Sequence, residues 1–305
     1  MSANTIGADV NEILTGFYLV GGKWSSFGNG AEAKAQLVAR KAQLAPNEYV
    51  DQEGRAKAMA NSVLAWAASN GYAGKVVKAW WTARPGVLSA AYGQPVDSRM
   101  NPTDILLQFS DGQFLGISAK STKSSGDIGF KNPGAGTVSK ALGIDLDSLF
   151  KTRTAVVIKK LKLPIPMQER KAYIRSKPKV QQQTVLVGQQ ILASMRDKMF
   201  EKLSTMKPKD LRAYILKYWM DADVIEPRYI KVTGNGKNGA YAASVMDPLN
   251  NEKLQALSSP KLTVMKVGAD SVGIIGGNNK KIMKMRFKYE SEKVASSLKL
   301  SGDPW

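Results

Sequence analysis

Apolar residues recur at helical spacing at the start of the chain, give way to β-branched runs, return to helical spacing, and end in short strand-like segments. Val10, Ile13, Leu14, Phe17 and Tyr18 line one face of a helix predicted over residues 8–20, with Asp9 or Asn11 near its N-cap and Gly21-Gly22 ending it. Ala-rich helices are predicted over 31–45 and over 52–70, the second stopped by Asn70-Gly71. KVVKAWWTA (75–83) reads as a strand broken by Arg84-Pro85-Gly86, with Trp80 and Trp81 as core residues. Two apolar runs, 104–109 and 113–119, flank a turn at 110–112 containing Asp111-Gly112 and form a predicted β-hairpin. Their apolar character suits central strands of a sheet covered by helices.

A polar loop spans 121–137, and a helix is predicted over 138–150. Residues 154–162 continue as a basic stretch broken by Pro164 and Pro166, and long helical patterns cover 179–205 and 208–221. From residue 228 the texture is β-rich, with short runs separated by Gly, Asn and Pro. The segment from Lys280 to Lys288 alternates basic and apolar residues, so one face is basic and the other buried. These shifts divide the chain into an α/β part (1–150), a basic helical segment (151–227) and a β-rich part (228–305).

Charge sharpens the picture. The formal net charge is +19 over 305 residues. Residues 1–150 carry 14 Lys and Arg against 12 Asp and Glu, whereas residues 151–217 carry 17 against 4. So lopsided a segment is not a surface of alternating ion pairs. It favours a polyanion, because neutralising phosphates releases condensed counterions. Nucleic acid is the leading expected partner, with an anionic membrane or a merely solvated basic surface as the alternatives. Lys123, Lys131, Arg153, Lys159, Lys160, Lys162, Arg170, Lys171, Arg175, Lys177 and Lys179 are the expected phosphate contacts. Tyr173, Tyr214, Tyr218 and Trp219 have spacing suited to packing rather than base stacking.

The chain has neither cysteine nor histidine. That excludes disulfides, Cys- or His-held zinc, Ser-His-Asp and Cys-His catalysis, and His-dependent phosphodiesterases. A catalytic metal here must be held by oxygen, which points to Mg²⁺ or Mn²⁺. The Gly-rich spots at 234–236 and 273–277 lack a GK[ST] ending and strand–helix context, so no nucleotide cofactor is expected. No run of about 18 apolar residues occurs, so no transmembrane helix is expected, and no membrane partner is assigned. The start of the chain shows no secretory pattern, and the expected location is cytoplasmic.

The candidate chemistry lies on the hairpin. Asp104 heads the first strand after Asn101-Pro102-Thr103, and Ser118-Ala119-Lys120 closes the second. Alternation puts 118 and 120 on one face. Taken singly, Asp104 reads as a turn residue and Lys120 as an edge lysine; together, on one hairpin in a polybasic chain, they suit metal-assisted phosphodiester chemistry. Pro102-Thr103-Asp104 with Ser118-Ala119-Lys120 resembles the PD-(D/E)xK, or restriction-endonuclease-like, superfamily, over roughly residues 8–160. The resemblance implies an α/β (α+β) fold with a mixed sheet flanked by helices. It also implies that Asp104 holds a metal and that Lys120 orients or activates the water. Ser118 stands where the family has an acid, and a serine hydroxyl is a poor Mg²⁺ ligand. Some members recruit an acid from the first helix, which makes Glu12 the expected substitute, although alone it reads as a solvent-facing helix acid. Asp127, in the loop, is a weaker substitute, and the carbonyl of Ala119 is an auxiliary ligand.

The resulting expectation is a metal-dependent DNA endonuclease, compact and without an ATPase site, of the kind encoded by phages or mobile elements. The alternative is a non-catalytic DNA-binding or virion-associated protein on a degenerate nuclease fold, supported by the missing acid at 118. Cutting both strands would call for a homodimer.

Overall fold

A computed structural model of the chain describes residues 3–97, 101–123, 129–220 and 225–305. Its elements run α1 (Ala3–Leu19), α2 (Gly30–Lys41), α3 (Pro46–Ser69), β1 (Val76–Trp81), α4 (Val87–Tyr92), β2 (Ile105–Phe109) and β3 (Phe114–Thr122). Then come α5 (Ala135–Leu142), α6 (Leu146–Lys160), α7 (Met167–Ser176), α8 (Pro178–Ser204) and α9 (Pro208–Tyr218). The chain closes with β4 (Tyr229–Lys237), β5 (Ala240–Met246), α10 (Glu252–Leu257), β6 (Thr263–Val267), β7 (Ser271–Ile275), β8 (Lys281–Tyr289) and β9 (Leu298–Pro304). Two compact units result: Met1–Ile128 with Val224–Pro248, and Gly129–Asp223 with Leu249–Trp305.

The first unit is a mixed α/β layer structure. Its five-stranded sheet has the order β1-β2-β3-β4-β5. β1, β2 and β3 are antiparallel neighbours, β4 runs parallel to β3, and β5 returns antiparallel to β4. The β2–β3 turn forms where sequence chemistry demands it: Gly112 has a φ of +86°, and the Asp111 carboxylate accepts from the Gln113 amide at 3.1 Å. Val10, Ile13 and Leu14 of α1 and Met59 and Val63 of α3 join Ile105, Leu107, Leu115, Ile117, Ile230 and Val232 of the sheet in one buried cluster. Helix α3 lies close on the β4–β5 edge because glycines permit it. A Cβ on Gly54 would meet the Tyr241 ring at 2.2 Å, and one on Gly234 would meet Arg55 at 3.0 Å.

The second unit has its own sheet, β6-β7-β8-β9, antiparallel throughout. Ile282, Met283, Met285, Phe287 and Tyr289 of β8 are buried, while Lys281, Arg286 and Lys288 are exposed, as the alternation predicts. β8 is paired on both sides, so its lysines do not guard a free edge.

Several expectations change. β4 and β5 belong to the first sheet, so the compositional boundaries at 150 and 227 are not where the chain divides: strand pairing across more than 100 residues outweighs local texture. α1 starts at Ala3, ahead of Asp9 and Asn11, which lie in its interior. The helix predicted over 138–150 is two helices, separated at Gly143, whose φ of +63° ends α5 in a left-handed cap. The basic stretch after it is helical, as the later half of α6. The short helices α4, α7 and α10 and the strand β9 have no counterpart in the sequence reading.

Candidate active site

The loop leading into β2 is clamped before it delivers its carboxylate. Asn101 Oδ1 accepts from the Thr103 amide (3.1 Å) and Thr103 Oγ1 (2.6 Å), while Asn101 Nδ2 donates to the Pro227 carbonyl at 3.0 Å. The Asp104 amide donates to the Ile117 carbonyl at 2.9 Å, and the Asp104 carbonyl accepts from the Thr82 amide at 3.0 Å. Asp104 is therefore locked between β1 and β3. Gly116, beneath, leaves room for Thr103, whose hydroxyl would lie 2.2 Å from a Cβ there.

Asp104 Oδ2 gathers the residues the motif named. It accepts from Lys120 Nζ at 3.0 Å, from the Ala119 amide at 2.9 Å and from Ser118 Oγ at 3.4 Å. The Lys120 side chain is 64% exposed and that of Asp104 21%, so the ammonium faces solvent while the carboxylate sits deeper. Ser118 is buried and spends its hydroxyl on Asp104.

Glu12 comes to the same place from α1. It is buried, not solvent-facing, and Trp81 Nε1 donates to its Oε2 at 3.0 Å. Burial, reinforced by the negative charge of Asp104, pushes its pKa from 4.5 up to about 8, with the Trp81 hydrogen bond and Lys120 acting in the opposite direction. Trp81 is itself held, exchanging backbone hydrogen bonds with the Asn29 side chain at 2.9 and 3.1 Å.

A cleft of about 550 Å³ opens beside Glu12 and Lys120. Its lining includes Asn11, Glu12, Glu48, Gln52, Lys120 and Lys123. Lys123 pairs with Glu48 at 2.9 Å, and Ser121 Oγ donates to Gln52 Oε1 at 2.8 Å. Asn11 donates through Nδ2 to the Gln52 carbonyl at 3.2 Å, but its buried Oδ1 has no hydrogen-bond partner. Asn11, Glu48 and Gln52 carry no motif. The available signal is that Gln52 and Arg55 interrupt the apolar stripe Ala56, Met59, Ala60, Val63 of α3 at helical spacing and are buried nonetheless.

The oxygen donors suit a hard divalent cation. Asp104 and Glu12, so placed that the charge of one raises the pKa of the other, and the buried Asn11 amide oxygen, which has no hydrogen-bond partner, offer such a cation three oxygen donors. No cluster of three acids occurs among the described residues. Asp127 lies outside the described residues.

The predicted phosphate contacts divide. Arg153, Lys159, Lys160, Lys162, Lys177 and Lys179 are exposed in the second unit, and Lys171 is half-buried. Arg175 pairs with Glu292 at 2.8 Å. Arg170 is corrected from phosphate ligand to structural residue: it is buried, with Nε donating to the Val294 carbonyl (2.8 Å) and Nη1 to the carbonyls of Pro164 (2.9 Å) and Ile165 (2.6 Å). Lys123 belongs to the first unit and Lys131 to the second. Tyr214 and Trp219 are buried, in keeping with packing, whereas Tyr218 is half-buried and Tyr173 is exposed. No helix among the described residues is long and apolar enough to cross a membrane.

No protein-family model matches the chain. No curated protein matches it. Among solved structures it is similar to the restriction endonuclease MspI, in complex with its cognate DNA, at 12% identity and a TM-score of 0.34, over 90% of this chain and 91% of that one. At that TM-score the roles of individual residues rest on the geometry alone.

Proposed function

We propose that the first unit is a metal-dependent deoxyribonuclease site. The observation that carries this reading is the convergence of Asp104, Lys120 and the buried Glu12, drawn from the loop that enters β2, from β3 and from α1. Asp104 and Glu12 would hold Mg²⁺ or Mn²⁺, with Asn11 Oδ1 or the Ala119 carbonyl as a neutral oxygen. When bound, such a cation lowers the pKa of water and neutralises charge developing on the phosphate.

The chain's own groups do the rest. Lys120, exposed at the mouth of the site, is placed to hold the attacking water or to donate to a non-bridging phosphate oxygen. Asp104 holds the ammonium in position through its 3.0 Å pair, and the Ala119 amide orients the carboxylate. Trp81 fixes one oxygen of Glu12 and leaves the other available. Attack by water on phosphorus breaks one P–O ester bond, and the leaving alkoxide takes up a proton.

A second reading has a specific observation behind it. Ser118 caps Asp104 where the related motif places an acid, which suits a protein that binds DNA without cutting it. Incubation of supercoiled plasmid with purified protein, in Mg²⁺, Mn²⁺ or EDTA and beside Lys120→Ala, separates the two. Metal-dependent nicking lost in Lys120→Ala supports the nuclease. An unchanged plasmid, with gel shifts retained by both proteins, supports the binding protein.

A further inference from the structure

We propose that Ile165, in the second unit, is a rigid apolar wedge that enters a base step of duplex DNA. The proposal rests on the reading that DNA is the partner, but not on cleavage. Ile165 is 83% exposed, the highest value recorded for a large apolar side chain among the described residues. A singly exposed isoleucine is ordinary on a protein surface. What sets this one apart is how it is held and what surrounds it.

The segment is Lys159-Lys160-Leu161-Lys162-Leu163-Pro164-Ile165-Pro166. α6 ends in a tight left-handed turn: the Lys162 amide donates to the Lys159 carbonyl at 3.3 Å and the Leu163 amide to the Ile158 carbonyl at 3.0 Å. Lys162 occupies the left-handed position, with a φ of +49°, where glycine is the unstrained choice. Keeping a lysine there places an extra cation beside the tip. Leu163 is buried and anchors the turn. Pro164 and Pro166 restrict the backbone on both sides of Ile165. Beneath the tip, the buried Arg170 binds the carbonyls of Pro164 and Ile165. The isoleucine therefore stands out on a loop whose conformation is already fixed, so little entropy is lost when it is inserted.

The surroundings point to a polyanion. Lys159, Lys160 and Lys162 are exposed and have no ion-pair partner among the described residues. Residues 151–179 hold ten basic side chains and one acid, Glu169. Apolar wedges flanked by cations insert between base steps, unstack them and bend the duplex. The tip is a single side chain between prolines, sized for one base step; Val156 of α6 and Met167 and Tyr173 of α7 are also exposed but lie on other elements, so no one helix presents the broad apolar face with which a helix lies in a lipid surface.

The test uses the full chain carrying Lys120→Ala, so that DNA stays intact, with an end-labelled duplex containing 2-aminopurine at successive steps. Anisotropy reads binding, energy transfer between the ends reads bending, and 2-aminopurine emission reads unstacking. The expected result is a bend of about 20–90° with a rise in emission. Ile165→Ala should abolish both while weakening binding less than about tenfold, and Ile165→Met should restore them. If Ile165→Ala leaves bend and emission unchanged in a protein that binds duplex, the wedge is wrong and the DNA reading stands. If the chain does not bind duplex at low salt, both fall. Ile165-dependent binding to phosphatidylserine vesicles, with a duplex signal indifferent to Ile165, overturns the proposal in favour of a lipid surface.

Discussion

The indole of Trp81 donates to the carboxyl of Glu12 at 3.0 Å, across 69 residues of sequence, and both side chains are buried. One contact thereby ties β1 to α1 and aims an acid at Asp104 and Lys120. Trp81→Phe keeps the ring and removes the donor. It is expected to weaken Mg²⁺ binding about 10- to 100-fold, the worth of one hydrogen bond to a charged group. Mg²⁺-dependent thermal shift measures it; an unchanged titration midpoint would show that Trp81 merely packs.

Glu12 makes stability depend on pH. Its folded-state pKa of about 8 lies above the ordinary 4.5, so the folded chain binds this proton more tightly than the unfolded chain does. The resulting stabilisation is complete below pH 4.5, declines as pH rises between 4.5 and 8, and is lost above that. Glu12→Gln removes the titration. Its stability in EDTA should match wild type near about pH 4.5 and exceed it by up to about 5 kcal/mol near about pH 9. Mg²⁺ should close the gap at high pH by stabilising wild type alone. Urea melts across this range decide the point, and a pH-independent difference would contradict it.

Ser118→Asp tests the vacant acid position. A carboxylate there faces Asp104, which the serine hydroxyl reaches at 3.4 Å. In EDTA the variant should lose about 2–4 kcal/mol from a buried like-charge pair. Divalent cation should recover that loss and bind more tightly than to wild type. Calorimetric titration with Mn²⁺ checks the second half, and binding no tighter than wild type would remove position 118 from the metal's surroundings.

Asp104→Asn and Lys120→Ala are each expected to lower plasmid cleavage about 100-fold or more while leaving duplex affinity within a few-fold. Their combined loss should be no larger than the greater single loss, because the two side chains act as one pair. Additive losses would mean that they serve separate steps.

The basic segment contains two kinds of cation. Arg170→Ala strips three carbonyls of their donor and should cost about 2–4 kcal/mol in urea denaturation. Lys159→Ala and Lys160→Ala should stay within about 0.5 kcal/mol of wild type. Each should lower the slope of log affinity against log salt by about 1. Equal effects of Arg170 and the lysines on that slope would restore Arg170 as a phosphate ligand.

Much of this was legible in the chain. The hairpin could be read because Asp111-Gly112 imposes its turn and two apolar runs flank it; Asp104 and Lys120 were named from their places at its two ends and from the motif they complete. Glu12 could be named, but its state could not. Helical spacing places it between core-facing neighbours, whereas its burial depends on Trp81, a residue of another element. The division of the chain misled because texture is local and sheet pairing is not: β3 meets β4 only after α5 to α9 have intervened.

By itself, the sequence determined the chemistry on offer. Without cysteine or histidine, any metal must sit on oxygen, and an excess of lysine and arginine in the middle of the chain favours an anionic partner. Those conclusions need only the identity of the side chains. Tertiary structure alone decided which charges are free to act. Burial turned Glu12 into an acid that holds its proton and Arg170 into a backbone clamp, and a fixed turn pushed Ile165 outward. A side chain's charge, partners and reach depend on the solvent and neighbours around it, and the fold assigns those from residues far apart in sequence.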